Sequence, residues 1–248
     1  MSANPATSPD PSDRPAPASV PSGDSVARHS SVAQRPSVAQ RPSVAQRPSV
    51  AQRPSWAGPS AVADPDLDAA TRGAHALLEG LGVDLAGESL QRTPERMAAA
   101  LAELMTPRPF QLTTFPNDGG YDELIVARSL PVRSLCEHHM LPFIGSAHVG
   151  YLPGERILGL SKLARVVEHF SRRPQVQERL TVQVAHWLTG QLAPAGVGVV
   201  IEAEHLCMTL RGVQAPGTTT VTSSLTGVLR DDPRSRAEFL ALTQPRSS

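Results

Sequence analysis

Lysine is all but missing from this chain: Lys162 is the single lysine among 248 residues, and arginine carries every other positive side chain. Aromatic residues are scarce too, at 4%. Two cysteines, Cys136 and Cys207, are too few to staple a secreted scaffold, so a reducing compartment, the cytoplasm, is expected. Net charge is absent as well. Lys+Arg 23 against Asp+Glu 23 leaves no field to draw in nucleic acid or an anionic membrane. No apolar run approaches the roughly 18 residues that a membrane span needs, and the N-terminus lacks the basic-then-apolar layout of a signal peptide. What remains is a chain whose 40% hydrophobic content can form a real core. Its length allows one large domain or two small ones.

Composition changes near residue 64. The first 64 residues hold 11 of the 24 prolines and few large apolar side chains, and the hexapeptide SVAQRP runs four times in tandem from Ser31 to Pro54. One small valine per six residues cannot offset the entropy of ordering the chain, so residues 1–64 are read as a disordered tail. The globular part is expected over 65–248. Leu67 to Leu81 has Ala70, Ala74, Leu77, Leu78 and Leu81 at helical spacing. A second helix is expected from Thr93-Pro94-Glu95-Arg96, with Thr93 as cap, to just before Pro107. Strand patterns follow at Leu124–Val132 and Gly145–Leu152, then helices at Ser161–Phe170 and from about Pro174 to Leu192. The end is strand-like again, at Val197–Arg211 and Thr218–Leu229. This order predicts an α+β domain: an antiparallel sheet with two helices on one face, preceded by N-terminal helices.

Cys136-Glu137-His138-His139 is the densest chemical cluster. A Cys-x-x-His pair can close on one metal ion from a single turn, and thiolate with imidazole suits zinc. The other cysteine lies in His205-Leu206-Cys207. If Val197–Arg211 is one regular strand, His205, Cys207 and Arg211 share a face. Cys136, His139 and Cys207 would then be three protein ligands with the fourth position open, the pattern of catalytic zinc. Two buried apolar thiols would account for the cysteines about as well on spacing alone, whereas a disulfide does not suit a reducing compartment.

Two helix starts carry further chemistry. Lys162 and Arg165 stand three apart behind Ser161, where free backbone amides already favour an anion such as phosphate. A solvated basic surface is the plainer alternative. Gln177 and Glu178 open the long helix, where an acid also stabilises the helix end. A carboxylate there can accept two hydrogen bonds from the N1–H and N2–H2 edge of guanine, which adenine lacks.

Several stretches together resemble the GTP cyclohydrolase I family: SLCEHHMLPFIGSAHVGYLP, GLSKLARVVEHFSRRPQVQERLT, EHLCMTLRGVQ and TTTVTSSLTGVLRDDPRSRAEFL, with the helix start RTPERMA before them. The likeness runs from about Asp66 to Leu242 in the family's order. It implies the tunnelling fold, a toroidal homodecamer of two pentamers with active sites between subunits, and conversion of GTP and water to 7,8-dihydroneopterin triphosphate and formate, the entry to tetrahydrofolate and related pterins. It implies Zn2+ on Cys136, His139 and Cys207, with zinc-bound water attacking C8 of the guanine. It further implies His138 and His205 as proton-transfer groups, and Ser161 in the later ribose steps. Glu178 with Gln177 would hold the guanine edge. Lys162, Arg165 and Arg211 would bind the triphosphate, and Arg96 would reach in from a neighbouring subunit. If Cys207 and Arg211 lie on one strand face, roughly 13 Å separates metal from cation.

Overall fold

The protein is described by a computed structural model covering residues 64–244. Apart from Asp64, the expected tail and its repeats lie outside the described residues. The chain opens with a helical hairpin, α1 (Leu67–Gly80) and α2 (Thr93–Met105). Then come β1 (Thr114–Pro116), β2 (Ile125–Cys136), β3 (Pro142–Leu152), β4 (Arg156–Leu158) and α3 (Leu160–Ser171). A two-residue strand, β5 (Pro174–Gln175), leads into α4 (Gln177–Leu192), and β6 (Gly196–His205) into a single helical turn, α5 (Leu206–Thr209). The described part closes with β7 (Thr219–Gly227), α6 (Val228–Asp231) and α7 (Pro233–Thr243).

The main sheet has the order β5-β2-β3-β6-β7, antiparallel except where β5 runs beside the end of β2. Alternation sorts its two faces. Ala147, Val149 and Tyr151 of β3 and Val197, Val199, Ile201 and Ala203 of β6 point to one side and are buried. There they meet Leu163, Val166, Val167 and Phe170 of α3 and Leu180, Val184, Ala185 and Leu188 of α4. The expected α+β layering, a largely antiparallel sheet with two helices on one face, is therefore what the chain forms.

Strand β2 reaches this face by changing parity. Its register against β3 gains one residue between Ala127 and Leu130, a β-bulge, with Ser129 in the left-handed region at φ 55. The Ser129 N–H donates to His148 Nδ1 at 3.4 Å. Before the bulge the core-packed residues are Ile125 and Ala127; after it they are Leu130, Val132 and Cys136.

Several local expectations shift. Gly159, not Ser161, is the cap position of α3, and Ser161 is an exposed residue of its first turn. Thr93 is already helical and Arg92 occupies the cap position without a side-chain cap; an Arg92–Glu95 pair at 3.0 Å spans the helix start instead. Pro174 does not begin the long helix. Pro174 and Gln175 pair with Leu135 and Cys136, and α4 starts at Gln177. The apolar row of α1 faces α2 rather than the main core and leaves Leu77 and Leu81 exposed.

The last expected strand of the sheet's centre, Val197–Arg211, is cut short. His205 pairs with Phe143, and β7 begins at Thr219 opposite Glu204. Residues past His205 have run beyond both neighbouring strands, so no ladder partner is left for them. They bond locally instead, with Leu210 N–H donating to the Leu206 carbonyl at 3.1 Å. The shared strand face of His205, Cys207 and Arg211, and the 13 Å drawn from it, do not hold.

The second face of the sheet is covered at one end by α7, which begins at an Asp232 cap accepting from Ser235 N–H at 2.7 Å. Phe239 is fully buried there over Gly150 and Gly198, register partners on β3 and β6. A Cβ at Gly198 would meet the Phe239 ring at 2.6 Å, so glycine is what lets the ring lie on the sheet. Among the described residues no helix is long and apolar enough to cross a membrane.

Truncating Phe239→Ala should cost about 3 kcal/mol by loss of buried ring contacts, read as a lowered urea midpoint. Two other buried groups predict a pH dependence. Burial first, then the nearby Arg128, lowers the His148 pKa, with Glu202 opposing; burial and then Arg173 lower that of His169. The unfolded chain therefore binds more protons below about pH 6.5, and stability present above that value is lost as pH falls through the depressed values. Urea midpoints of metal-free protein should drop on acidification, and His169→Phe, placed among Phe110 and Phe170, should flatten the slope.

Candidate active site and metal centre

Where β2 ends, the chain folds into a tight turn. Cys136 N–H donates to the Leu141 carbonyl at 2.8 Å, Met140 N–H donates back to the Cys136 carbonyl at 2.8 Å, and Met140 takes φ 54. The turn presents Cys136, His138 and His139 together. Cys136 Sγ lies 3.9 Å from His139 Nδ1 and 3.8 Å from His138 Nδ1. At the same end of the sheet, just past the end of β6, α5 brings in Cys207. The ligand atoms of Cys136, His139 and Cys207 all lie within 4.8 Å of one another. Tetrahedral zinc with ~2.3 Å bonds to sulfur sets its ligands about 3.8 Å apart, so a small adjustment closes the set.

The donor chemistry fits a cation. Both cysteines are free and buried. Burial first, then the neighbouring Cys136 thiol, pushes the Cys207 thiol up, because two thiolates side by side in an apolar setting repel. A bound metal reverses that preference and takes both as thiolates. These residues could hold a metal; which metal belongs to the reading below.

The three candidate ligands share a cavity of about 240 Å3 with His138, Glu178 and His205. His205 closes one wall. Its ring stacks on Phe143 at 4.7 Å and 10°, and its Nε2 is 2.8 Å from Gln177 Oε1. Burial lowers its pKa, while the Glu178 carboxylate pulls the other way. Glu178 is exposed in the first turn of α4, with its side chain among the cavity's lining.

Gln177 differs from its expected role. It is buried, and its Nε2 donates to the Ile201 carbonyl at 3.0 Å, the Thr220 carbonyl at 2.8 Å and Thr222 Oγ1 at 3.1 Å. With Oε1 facing His205, the amide is fully engaged with the protein. In this structure it supports an imidazole rather than standing open to a base.

Of the residues expected at the ribose and triphosphate, Arg211 lies near enough to Cys207 for its charge to pull that thiol's pKa down. Ser161, Lys162, Arg165, Arg211 and Arg96 do not line the cavity that holds Cys136 and Cys207. Arg165 lines a separate cavity of about 250 Å3 with Arg133 and Arg172, and stands 4.0 Å from Glu168. Two residues not singled out from the sequence do belong near the metal turn: Phe143, under His205, and Arg179, whose guanidinium pairs with Glu137. Phe143 falls just ahead of the strand expected from Gly145, and Arg179 is one arginine among many, so neither carries a local signal.

Fold and site together define an α+β protein, a largely antiparallel sheet with two helices on one face, carrying a cysteine–histidine–cysteine group able to hold a metal. Residues 70–244 match the family model described as GTP cyclohydrolase I. The GTP cyclohydrolase 1 of Synechococcus sp. (strain JA-3-3Ab) is 52% identical over 189 residues, 75% of this chain and 81% of that protein. The one from Aquifex aeolicus is 52% identical over 167 residues, 67% of this chain and 91% of its own. The human one is 47% identical over 170 residues, 67% of this chain and 68% of its own. Among solved structures, the archaeosine synthase QueF-Like in the apo form aligns at 16% identity and a TM-score of 0.36, over 42% of this chain and 93% of its own. The chain belongs to the GTP cyclohydrolase I family, and so is an enzyme of that family.

Cys207→Ser should strip bound metal at least tenfold, measured by metal analysis after gel filtration, while His138→Ala should keep it. Equal retention by both variants would remove Cys207 from the ligand set.

Proposed function

We propose that this chain hydrolyses GTP at C8 of the guanine, releases formate, and closes the rearranged product to 7,8-dihydroneopterin triphosphate, the first step toward tetrahydrofolate and related pterins. The observation that carries this reading is one cavity in which Cys136, His139 and Cys207 face Glu178 and His205 in a chain of this family. The catalytic unit is residues 65–248, working in the cytoplasm.

Zinc held by Cys136, His139 and Cys207 supplies Lewis acidity for the hydrolytic opening. Everything else falls to the chain's own groups. Glu178 accepts the N1–H and N2–H2 of guanine, two bonds that adenine cannot offer, which selects the base. His138, beside the ligand turn, donates to the imidazole ring of the substrate as it opens. His205 moves protons in the later rearrangement, and its depressed pKa keeps a neutral imidazole available as a base near pH 7. Gln177 holds His205 through Oε1 and thereby serves the guanine site indirectly.

Ser161, Lys162 and Arg165 on α3, with Arg211 beyond α5 and Arg96 on α2, bind the ribose and triphosphate. Arg211 acts on Cys207 within one chain, while among the described residues the others line no common cavity with the metal group, so the complete site is assembled between copies in a homodecamer. The apolar groove between α1 and α2, lined by Leu77, Met97, Leu101 and Met105, supports such assembly, because the described residues leave it uncovered.

Purified zinc-loaded oligomer incubated with GTP should yield formate and, after mild oxidation, neopterin fluorescence in equal amounts. Formate without pterin would confine the chain to ring opening and remove His205 and Ser161 from their roles. Neither product would overturn the reading.

A further inference from the structure

Arg179 has no part in the chemistry above, yet it is tied to the metal turn by its side chain. Its Nε donates to Gln175 Oε1 at 2.8 Å, one terminal nitrogen donates to the Pro174 carbonyl at 3.2 Å, and the same nitrogen pairs with Glu137. Glu137 stands between Cys136 and His138 in the turn. The anchor behind Arg179 is itself fixed. Gln175 is fully buried, and its Nε2 donates to the Phe170 carbonyl at 2.9 Å and to Gln183 Oε1 at 2.8 Å, which leaves its own Oε1 as the acceptor for Arg179.

The turn sets its own internal shape through the bonds to the Cys136 carbonyl, so the spacing of Cys136 to His139 needs no outside help. Its placement relative to Cys207 does. Cys207 arrives on α5 from β6, which the turn meets through β3, by the pairing of Phe143 with His205. Toward β5 the turn is tied by the pairing of Cys136 with Gln175 and by Glu137 N–H donating to the Gln175 carbonyl at 3.0 Å. The Glu137–Arg179 pair adds a side-chain tie from the turn to α4.

We propose that Arg179 is a positioning residue for the metal centre: by holding Glu137 it fixes the gap between the Cys136–His139 turn and Cys207, and with it the site's grip on zinc. The inference rests on the zinc reading above. Arginine is required because the fork must reach Gln175 with one nitrogen and Glu137 with another, which a lysine ammonium cannot do from one position. Outer partners of this kind typically change metal affinity by roughly 10- to 100-fold.

The test is zinc release from the loaded full-length protein into a chromogenic chelator, for wild type, Arg179→Lys, Arg179→Met, Glu137→Ala and the Arg179→Met/Glu137→Ala pair. Each single change should speed release about tenfold or more. The double variant should be no faster than the faster single, since both remove one tie. Release rates that multiply in the double variant would overturn the proposal. So would unchanged release with a lowered urea midpoint, the signature of a merely structural arginine. If the Arg179 variants fail to fold, Glu137→Ala alone decides: wild-type release from it ends the proposal. Wild-type protein that retains no zinc removes the metal assignment and the clamp together, whereas zinc retention without GTP turnover removes only the reaction.

Discussion

One extra residue in β2 decides where the metal centre can be. Strand side chains alternate, so without the bulge between Ala127 and Leu130 the parity that buries Ile125 and Ala127 would turn Cys136 to the far side of the sheet. The bulge flips the second half of the strand, and Cys136 ends among the helix-side core near α4 and α5. Ser129 in the left-handed region and its bond to His148 hold that flip in place. The Cys-x-x-His turn, the β5 pairing and the cavity all lie downstream of this one irregularity.

The other half of the site depends on strands ending at different heights. Since β3 and β7 stop level with His205, the chain beyond it curls into α5 and swings Cys207 back over the turn. His205 itself, the last paired residue, is left with a stacked ring on one side and the Gln177 amide on its edge. A broken ladder thus delivers a candidate ligand and a candidate proton-transfer group from positions two apart, one held by the sheet and one by a helical turn.

The parts visible in the sequence were those governed by local spacing: the apolar stripes of α3 and α4, the alternation of β3 and β6, and Cys136 with His139. The parts not visible depend on what lies alongside. Leu206–Leu210 is as apolar as a strand, and only the lengths of β3 and β7 make it helical. Pro174 looks like a helix start until Leu135 and Cys136 are there to pair with it. The bulge at Arg128-Ser129 contains neither glycine nor proline to announce it. Gln177 and Glu178 are chemically similar neighbours in sequence, yet one is sealed under β6 and β7 and the other opens to the cavity.

That contrast follows from helical geometry at the start of α4. Successive residues are turned by about 100°, and here three in a row face three ways: Gln177 inward to His205 and the sheet, Glu178 to the cavity, Arg179 to the metal turn. Side-chain identity and rotational phase are therefore inseparable in this segment. Removing or adding one residue between Pro174 and Gln177 would leave every one of these side chains in the chain and send each to a neighbour's destination, so the segment tolerates changes of residue type far more readily than any change of length.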